Sequence, residues 1–145
     1  FFRRLAEGIF DMEDLALRTK ELNDFLDEAA TKYSFGRKNI VAIGYSNGAN
    51  IAASLLYYYS DALKGAILHH PMVPRRDLQL PKHDGTPVFI AAGVNDPICP
   101  QQEAMDLEAM LTEAGADVKL VWENFGHQLT MNEVQAAKEW FAKSF

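Results

Sequence analysis

The residues best suited to chemistry lie in the segment 44–48, where Gly-Tyr-Ser-Asn-Gly places Ser46 between two glycines. An apolar, β-branched run precedes this segment and an apolar helical pattern follows it. A serine at such a strand-to-helix corner adopts a strained backbone that lifts its hydroxyl clear of the sheet. The pattern predicts that Ser46 is a nucleophile; an ordinary turn between a strand and a helix is the alternative. We expect glycine at 44 and 48 because a Cβ at either position would collide as strand and helix close up.

A serine hydroxyl becomes a good nucleophile only when a base takes its proton, and that base needs a partner that fixes its tautomer. His127 and Asp96 each follow a predicted strand, and they come after Ser46 in the order Ser, Asp, His. Alone, His127 could be a structural loop histidine, and Asp96 in Asn-Asp-Pro could be a turn former. Their joint placement at strand ends favours a catalytic triad, because the carboxyl ends of parallel strands share one rim.

The oxyanion formed during attack on a carbonyl needs two N–H donors. The backbone N–H of Asn47, directly after the nucleophile, is the expected first donor. The second donor normally comes from a glycine-containing loop after an earlier strand, and nothing upstream of Ile40 has that pattern. We therefore expect the 145 residues to be the carboxyl-terminal portion of a larger domain.

Continuous apolar runs alternate with helical patterns along the chain. Strands are predicted at 40–43, 65–68, 88–92 and 118–122, and helices at 11–33, 47–59, 101–114 and after a capping box formed by Thr130 and Glu133. This alternation predicts one α/β domain over residues 1–145, with a mostly parallel sheet and helices on both faces. The strand at 40–43 should be central, so a sheet of only four strands would leave its far edge bare.

The helices differ in where their apolar residues fall. The helix at 47–59 is apolar on nearly every face, which predicts burial. The first helix is amphipathic and should pack along one side that includes Phe25 and Tyr33, whereas the last should bury Val134, Ala137 and Phe141. Residues 1–10 show no clear period.

Charge and composition exclude several classes of protein. The formal net charge is −6, which argues against binding to nucleic acid or to anionic membrane surfaces. Four scattered histidines and one cysteine give no metal-ligand spacing, so neither a metal nor another cofactor is expected. The single cysteine and the lack of a long apolar span favour a cytoplasmic protein. The sequence leaves a homodimer open as an assembly state.

The remaining histidines and the cysteine give weaker signals. His69 and His70 end a predicted strand near the site, and each could line a pocket, donate a supporting hydrogen bond or be structural. His83 lies in a polar loop and should be solvated. Cys99 is expected to be a small packing residue rather than a second nucleophile.

The sequence resembles the α/β-hydrolases, and within them the phospholipase/carboxylesterase branch that includes acyl-protein thioesterases. The motifs Gly-Tyr-Ser-Asn-Gly-Ala-Asn, Leu-His-His-Pro-Met, Ala-Gly-Val-Asn-Asp-Pro-Ile-Cys-Pro and Gly-His-Gln-Leu look most like bacterial carboxylesterases of hydroquinone and catechol stress. The resemblance implies that Ser46 is the nucleophile, Asp96 the acid and His127 the base, with Asn47 as one oxyanion donor. The first strands and the His-Gly oxyanion loop of that family have no counterpart here.

The function expected from the residues and the resemblance together is that of a cofactor-free serine carboxylesterase. Its substrate would be a short or medium acyl or aryl ester, and the resemblance implies an acyl pocket lined by Pro71, Met72 and Val73, to which the apolar Ile98 is added. Hydrolysis of acyl thioesters or lysophospholipids by the same triad is an alternative. A non-catalytic binding module on a hydrolase fold is an alternative from another class.

Overall fold

The computed structural model describes residues 1–145. In chain order its elements are β1 (Arg4–Ala6), β2 (Ile9–Phe10), α1 (Met12–Lys32), a 3₁₀ turn (Arg37–Asn39), β3 (Val41–Tyr45), α2 (Asn47–Tyr58), β4 (Gly65–His69), β5 (Pro87–Gly93), α3 (Gln101–Glu113), β6 (Asp117–Glu123) and α4 (Met131–Ser144).

The four long strands form one parallel sheet in the order β3-β4-β5-β6. In this register Tyr45 pairs with His69, His69 with Ala91, and Gly93 with Glu123. The carboxyl ends of the strands therefore lie along one rim. The predicted α/β fold with a parallel sheet is confirmed.

Alternating side chains of the central strands build a core on each face of the sheet. Ala66 and Leu68 of β4 point to the larger cluster, which also contains α2 and α3. Ile67 and Phe89 point to the opposite face, where Ala137 of α4 packs on them. Helices cover both faces, as predicted, and most of α2 is buried.

Helix α1 packs on α2 rather than on the sheet. Its contact side contains the buried Leu15 and Thr19, and the hydroxyl of Ser54 in α2 lies 2.7 Å from that of Thr19. Because this contact is narrow, Phe25 and Tyr33 are exposed. The prediction that both belong to the packed side was wrong.

Strand β3 forms one edge of the sheet, and Ile43 on that strand is 70% exposed. An open apolar groove runs from Ile43 to α4, where it is lined by Val134 and Phe141. The prediction that the last helix buries these two residues was wrong, since only Ala137 of the three reaches the central strands. In this four-stranded sheet β3 is therefore an edge strand and not the central strand that the sequence predicts, and its far edge is bare as expected for four strands.

The segment 1–10, which has no sequence period, contains a small antiparallel hairpin of β1 and β2. The ring of Phe2 packs edge-on against that of Phe10. The α1 N-terminus is capped by the carboxylate of Asp11, which accepts from the Asp14 N–H. None of the helices combines the length and apolar composition that crossing a bilayer requires.

Gly44 is the glycine on which the closure of β3 against α2 depends. A Cβ at this position would lie 2.3 Å from the backbone carbonyl carbon of Gly48, far inside contact distance. A Cβ on Gly48 itself would meet only the Phe1 ring at 3.8 Å. The expectation of a collision therefore holds for Gly44 and was wrong for Gly48, because α2 directs that position away from the strand.

We expect Gly44→Ala to lower the free energy of unfolding by about 3 kcal/mol, since two backbone segments must separate to admit the methyl group. Gly48→Ala is the matched control and should leave stability within about 1 kcal/mol of the wild type. Urea denaturation of both variants measures the difference. Equal midpoints for the two variants would contradict the prediction.

Candidate active site

Ser46 is the single residue between the end of β3 and the start of α2. Its backbone has φ 54° and ψ −116°, a conformation that costs a non-glycine residue of order 1–3 kcal/mol. Two hydrogen bonds hold it, since the Ser46 N–H donates to the His69 carbonyl (2.9 Å) and its own carbonyl accepts from the Asn50 N–H (3.0 Å). This strained bend between β3 and α2 is the backbone conformation that the motif predicts.

His127 lies in the loop between β6 and α4 and reaches back to Ser46. Its Nε2 is 2.9 Å from the Ser46 Oγ. The Tyr45 hydroxyl donates to the His127 carbonyl oxygen at 2.5 Å, and the two rings are 5.5 Å apart. Tyr45 therefore ties the loop that holds the imidazole to the strand that holds the serine.

Asp96 completes a line of hydrogen bonds that begins at Ser46. Its Oδ2 is 2.6 Å from His127 Nδ1, and its Oδ1 accepts from the N–H groups of Ile98 and Cys99 at 2.8 and 2.9 Å. Burial by itself would raise the pKa of Asp96, but the bonds from Cys99, His127 and Ile98 outweigh burial and lower it. An ionised Asp96 keeps the His127 proton on Nδ1.

With its proton on Nδ1, His127 presents a bare Nε2 to the serine hydroxyl. This arrangement can accept the Ser46 proton as the oxygen attacks an electrophile. The structure thus brings together the three residues predicted as a triad. Along the chain, His127 is 31 positions from Asp96 and 81 positions from Ser46.

Two buried residues behind Asp96 extend the line of hydrogen bonds. His70 Nδ1 is 3.0 Å from Asp96 Oδ2, and His70 Nε2 is 3.1 Å from Glu133 Oε1. His69 Nδ1 lies 3.3 Å from Glu133 Oε2. Of the roles that the sequence leaves open for His69 and His70, the structure assigns supporting hydrogen bonds.

Glu133 also forms the predicted capping box with Thr130 at the start of α4. Burial would raise the pKa of Glu133, but hydrogen bonds from His69, His70 and the Thr130 N–H outweigh it and lower the pKa to about 2. Sequence reasoning identified Glu133 only as a capping residue. Its apolar helix neighbours give no sign that the same carboxylate meets two histidines.

The predictions for Cys99 and His83, the remaining cysteine and histidine, have different outcomes. Cys99 is buried, and burial raises the pKa of its thiol to about 12, so it is a packing residue as expected. The prediction that His83 is solvated was wrong, because it is buried and its Nε2 lies 2.7 Å from the Leu56 carbonyl oxygen. That carbonyl belongs to the last turn of α2, where carbonyls lack helical partners.

Asn47 is the first residue of α2, so its N–H has no acceptor within the helix. Asn47 directly follows Ser46 in the chain, and the role of its N–H as an oxyanion donor stays a prediction. The positive end of the α2 dipole adds to the stabilisation of negative charge there.

A cavity of about 590 Å³ opens at Ser46, lined also by Arg4, Ala6, Glu7 and Ile98. Of the predicted pocket residues, Ile98 lies in this cavity. Met72 and Val73 instead line a neighbouring cavity of about 470 Å³, and Pro71 is buried. The hairpin residues Arg4 and Glu7 were missed, because a short irregular segment gives no sequence signal for its position.

The cluster that comes closest to a metal-ligand set is part of the same site. Ligand atoms of His70, Asp96 and His127 lie within 4.8 Å of one another. Hydrogen bonds to Asp96 Oδ2 account for this closeness, since both Nδ1 atoms donate to it.

A parallel sheet with a strained serine at a strand-to-helix corner, in contact with a histidine from a later loop, defines the class of α/β-hydrolases. Residues 4–143 match the model of the Dienelactone hydrolase family, and the chain belongs to that family. The recognition of an α/β-hydrolase from the sequence is confirmed.

Relatives of the chain agree with this assignment. It is 54% identical over 144 residues to "Putative hydrolase MhqD" of Bacillus subtilis, covering 99% of this chain and 72% of that protein. It superposes on the crystal structure of the Bacillus cereus carboxylesterase with a TM-score of 0.98 and 68% identity, over 100% of this chain and 68% of the other. A carboxylesterase from Mesorhizobium loti matches with a TM-score of 0.90 and 25% identity, over 97% and 67%. The chain is therefore a carboxylesterase-like hydrolase, of a family whose enzymes act on esters.

Proposed function

We propose that the protein is a serine carboxylesterase that hydrolyses short or medium acyl or aryl esters through an acyl-enzyme intermediate. The observation that carries the proposal is the line of hydrogen bonds from Ser46 Oγ to His127 Nε2 (2.9 Å) and from His127 Nδ1 to Asp96 Oδ2 (2.6 Å). Membership of a hydrolase family with carboxylesterase relatives supports it.

In the acylation step, Ser46 Oγ bonds to the ester carbonyl carbon while its proton passes to His127 Nε2. Asp96 stabilises the resulting imidazolium. The N–H of Asn47 donates to the oxyanion of the tetrahedral intermediate. His127 then gives its proton to the alcohol oxygen, the carbon–oxygen bond breaks, and the alcohol leaves an acyl group on Ser46.

In the deacylation step, water replaces the alcohol in the same site. His127 takes a proton from the water as its oxygen bonds to the acyl carbon, and the second tetrahedral intermediate again faces the Asn47 N–H. Collapse returns the proton to Ser46 Oγ and releases the carboxylic acid. Atoms and charges balance without a cofactor.

The surroundings of Ser46 bear on the substrate. Ile98 offers an apolar wall, while Arg4 and Glu7 place one positive and one negative charge at the same cavity. An uncharged acyl group against Ile98, with a polar leaving group towards the two charges, suits this lining. The expectation of a modest uncharged acyl group is retained in the proposal.

A fluorophosphonate probe tests the proposal, because it phosphonylates a serine only when a base has activated it. We expect one equivalent of label, located on Ser46 by peptide mass spectrometry, with hydrolysis of p-nitrophenyl acetate lost in step with labelling. Ser60, which is exposed, should remain unlabelled. Labelling elsewhere, or none at all, would contradict the assignment.

The same assay separates the alternatives. Faster turnover of an acyl thioester or a lysophospholipid than of an oxygen ester of equal chain length would replace the carboxylesterase assignment by one of those activities. Absence of both labelling and turnover would favour a non-catalytic binding module. A cytoplasmic location, a homodimer and a single larger domain stay predictions.

A further inference from the structure

His70 lies between two buried carboxylates and contacts both. Its Nδ1 is 3.0 Å from Asp96 Oδ2 and its Nε2 is 3.1 Å from Glu133 Oε1. A neutral imidazole has one N–H and one bare nitrogen, so it can donate to only one of two carboxylates. The contacts therefore require either an imidazolium or a protonated carboxyl group.

The surroundings of the carboxylates decide between these two states. Asp96 Oδ1 accepts two backbone N–H bonds and Glu133 Oε1 accepts that of Thr130 at 2.8 Å. Such bonds favour the ionised carboxylate. Burial would lower the pKa of His70, but its bonds to Glu133 and Asp96 raise it above the ordinary value. His70 is thus the group that carries the extra proton.

The backbone of His70 is held as tightly as its ring. Its φ is 54°, a left-handed conformation that is rare outside glycine, and its N–H donates to the Ala91 carbonyl oxygen at 2.7 Å. The side chain is fully buried. Strain of this kind persists only where several contacts enforce it, and it is concentrated at functional sites.

His70 and His127 share one oxygen atom of Asp96. Both Nδ1 atoms point at Oδ2, and the ring centroids are 5.3 Å apart. A positive charge on His70 repels a second positive charge on His127. It also offsets part of the negative charge of the Asp96 carboxylate, which weakens the attraction between Asp96 and a protonated His127.

We propose that His70, held as an imidazolium by Glu133, is a positioning residue that keeps His127 unprotonated to lower pH than the Asp96–His127 pair alone would allow. The inference rests on the proposed function of Ser46 and His127. Glu133 acts only through His70.

Tyr45 and Cys99, the other titratable groups apart from histidines and carboxylates that face His70, stay uncharged near neutral pH. Burial, and then the charges of Asp96 and Glu133, raise the pKa of Tyr45 from β3. Burial raises that of Cys99, whose thiol faces the His70 carbonyl oxygen, to about 12. His69 faces Glu133 from the neighbouring position on β4. Of the groups other than histidine that face His70, only the carboxylates of Asp96 and Glu133 are charged.

The first test reads the charge of His70 directly. Imidazole ¹⁵N chemical shifts of the wild-type protein, titrated from pH 5 to 9 and assigned with single histidine variants, should show both His70 nitrogens protonated at pH 7. A neutral His70 at pH 7 would overturn the proposal. This measurement needs no catalytic activity.

The second test is the pH dependence of labelling of Ser46 by a fluorophosphonate. His70→Asn keeps an N–H donor near the Nδ1 position and tolerates positive φ, but it removes the charge. The labelling rate should fall off on the acid side with a midpoint that lies roughly 0.6 to 2.3 pH units higher than in the wild type. Coulomb's law gives this range for two unit charges separated by the 5.3 Å between the ring centroids, with an effective dielectric constant between about 20 and 80.

Glu133→Gln should raise the midpoint in the same direction but by less. The amide preserves the capping box, while the neutral residue no longer holds the proton on His70. Glu139→Gln is the control, since it makes the same change on an exposed position of the same helix and should leave the midpoint in place. A purely structural role would instead lower the labelling rate equally at every pH.

The outcomes separate this inference from the proposed function. Suppose that wild-type Ser46 is labelled. The role of His70 alone would then be overturned if the acid-side midpoint of the labelling rate were the same in both variants as in the wild type, or if it moved to lower pH in Glu133→Gln. Failure of the wild type to label would overturn the proposed function, and with it the role of His70, while the ¹⁵N titration would still report the charge. If His70→Asn does not fold, Glu133→Gln and the wild-type titration remain decisive.

Discussion

Replacing Ser46 with alanine is expected to lower kcat for ester hydrolysis by roughly 10⁴- to 10⁶-fold. The variant has no oxygen to form the acyl-enzyme, so only the oxyanion donor and substrate binding still act. KM should change little, because the hydroxyl contributes little to binding of the ground state. Initial rates with p-nitrophenyl acetate over a range of substrate concentrations measure both quantities.

Folding should be nearly unaffected by Ser46→Ala. The hydroxyl makes a single hydrogen bond, to His127, and alanine bears the same backbone cost as serine at φ 54°. Ser60→Ala, at an exposed position after α2, is the matched control and should retain full activity. Residual activity within tenfold of the wild type in a folded Ser46→Ala protein would show that another residue is the nucleophile.

Asp96→Asn is expected to lower kcat by about 10⁴-fold. The N–H groups of Ile98 and Cys99 require an acceptor, so the amide oxygen of asparagine would take the Oδ1 position. Its NH₂ group would then take the Oδ2 position, where it faces the Nδ1 atoms of both His70 and His127, and it would donate to that of His127. The His127 proton would move to Nε2, where it points at Ser46 and prevents proton transfer.

The variant separates tautomer control from simple loss of structure. Asp84→Asn makes the same chemical change at an exposed loop position and should leave kcat unchanged. Thermal denaturation checks that both variants are folded, and steady-state kinetics gives kcat. A tenfold or smaller fall in kcat for folded Asp96→Asn would mean that Asp96 does not fix the His127 tautomer.

The positions of Ser46, Asp96 and His127 could be predicted from the sequence for a physical reason. Each follows a continuous apolar run, and such runs form the buried strands of a parallel sheet. Parallel strands align their carboxyl ends, so residues far apart in the chain must meet at one rim. Distances of 2.9 and 2.6 Å then follow from loop geometry that no periodicity encodes.

For residues that do not follow a strand, burial was predicted less well. We expected His83 to be solvated because its sequence neighbours are polar. Its loop instead packs against α2, and the ring is buried with Nε2 at the Leu56 carbonyl oxygen. Phe25 and Val134 match the helical period, but the surfaces they face are not covered, so both remain partly in contact with solvent. Periodicity reports which face is apolar and not what packs on it.

The sequence by itself determined the α/β class, the strained serine between β3 and α2, and the order in which Ser46, Asp96 and His127 arrive at the rim. Local rules decide these features, since apolar periodicity and glycine sterics act over a few residues. Only the tertiary structure decided that His70 meets Asp96, 26 positions away, and Glu133, 63 positions away. One imidazole can contact two buried carboxylates only when the residue after β4, the loop after β5 and α4 are packed together, because such contacts depend on separation in space and not along the chain.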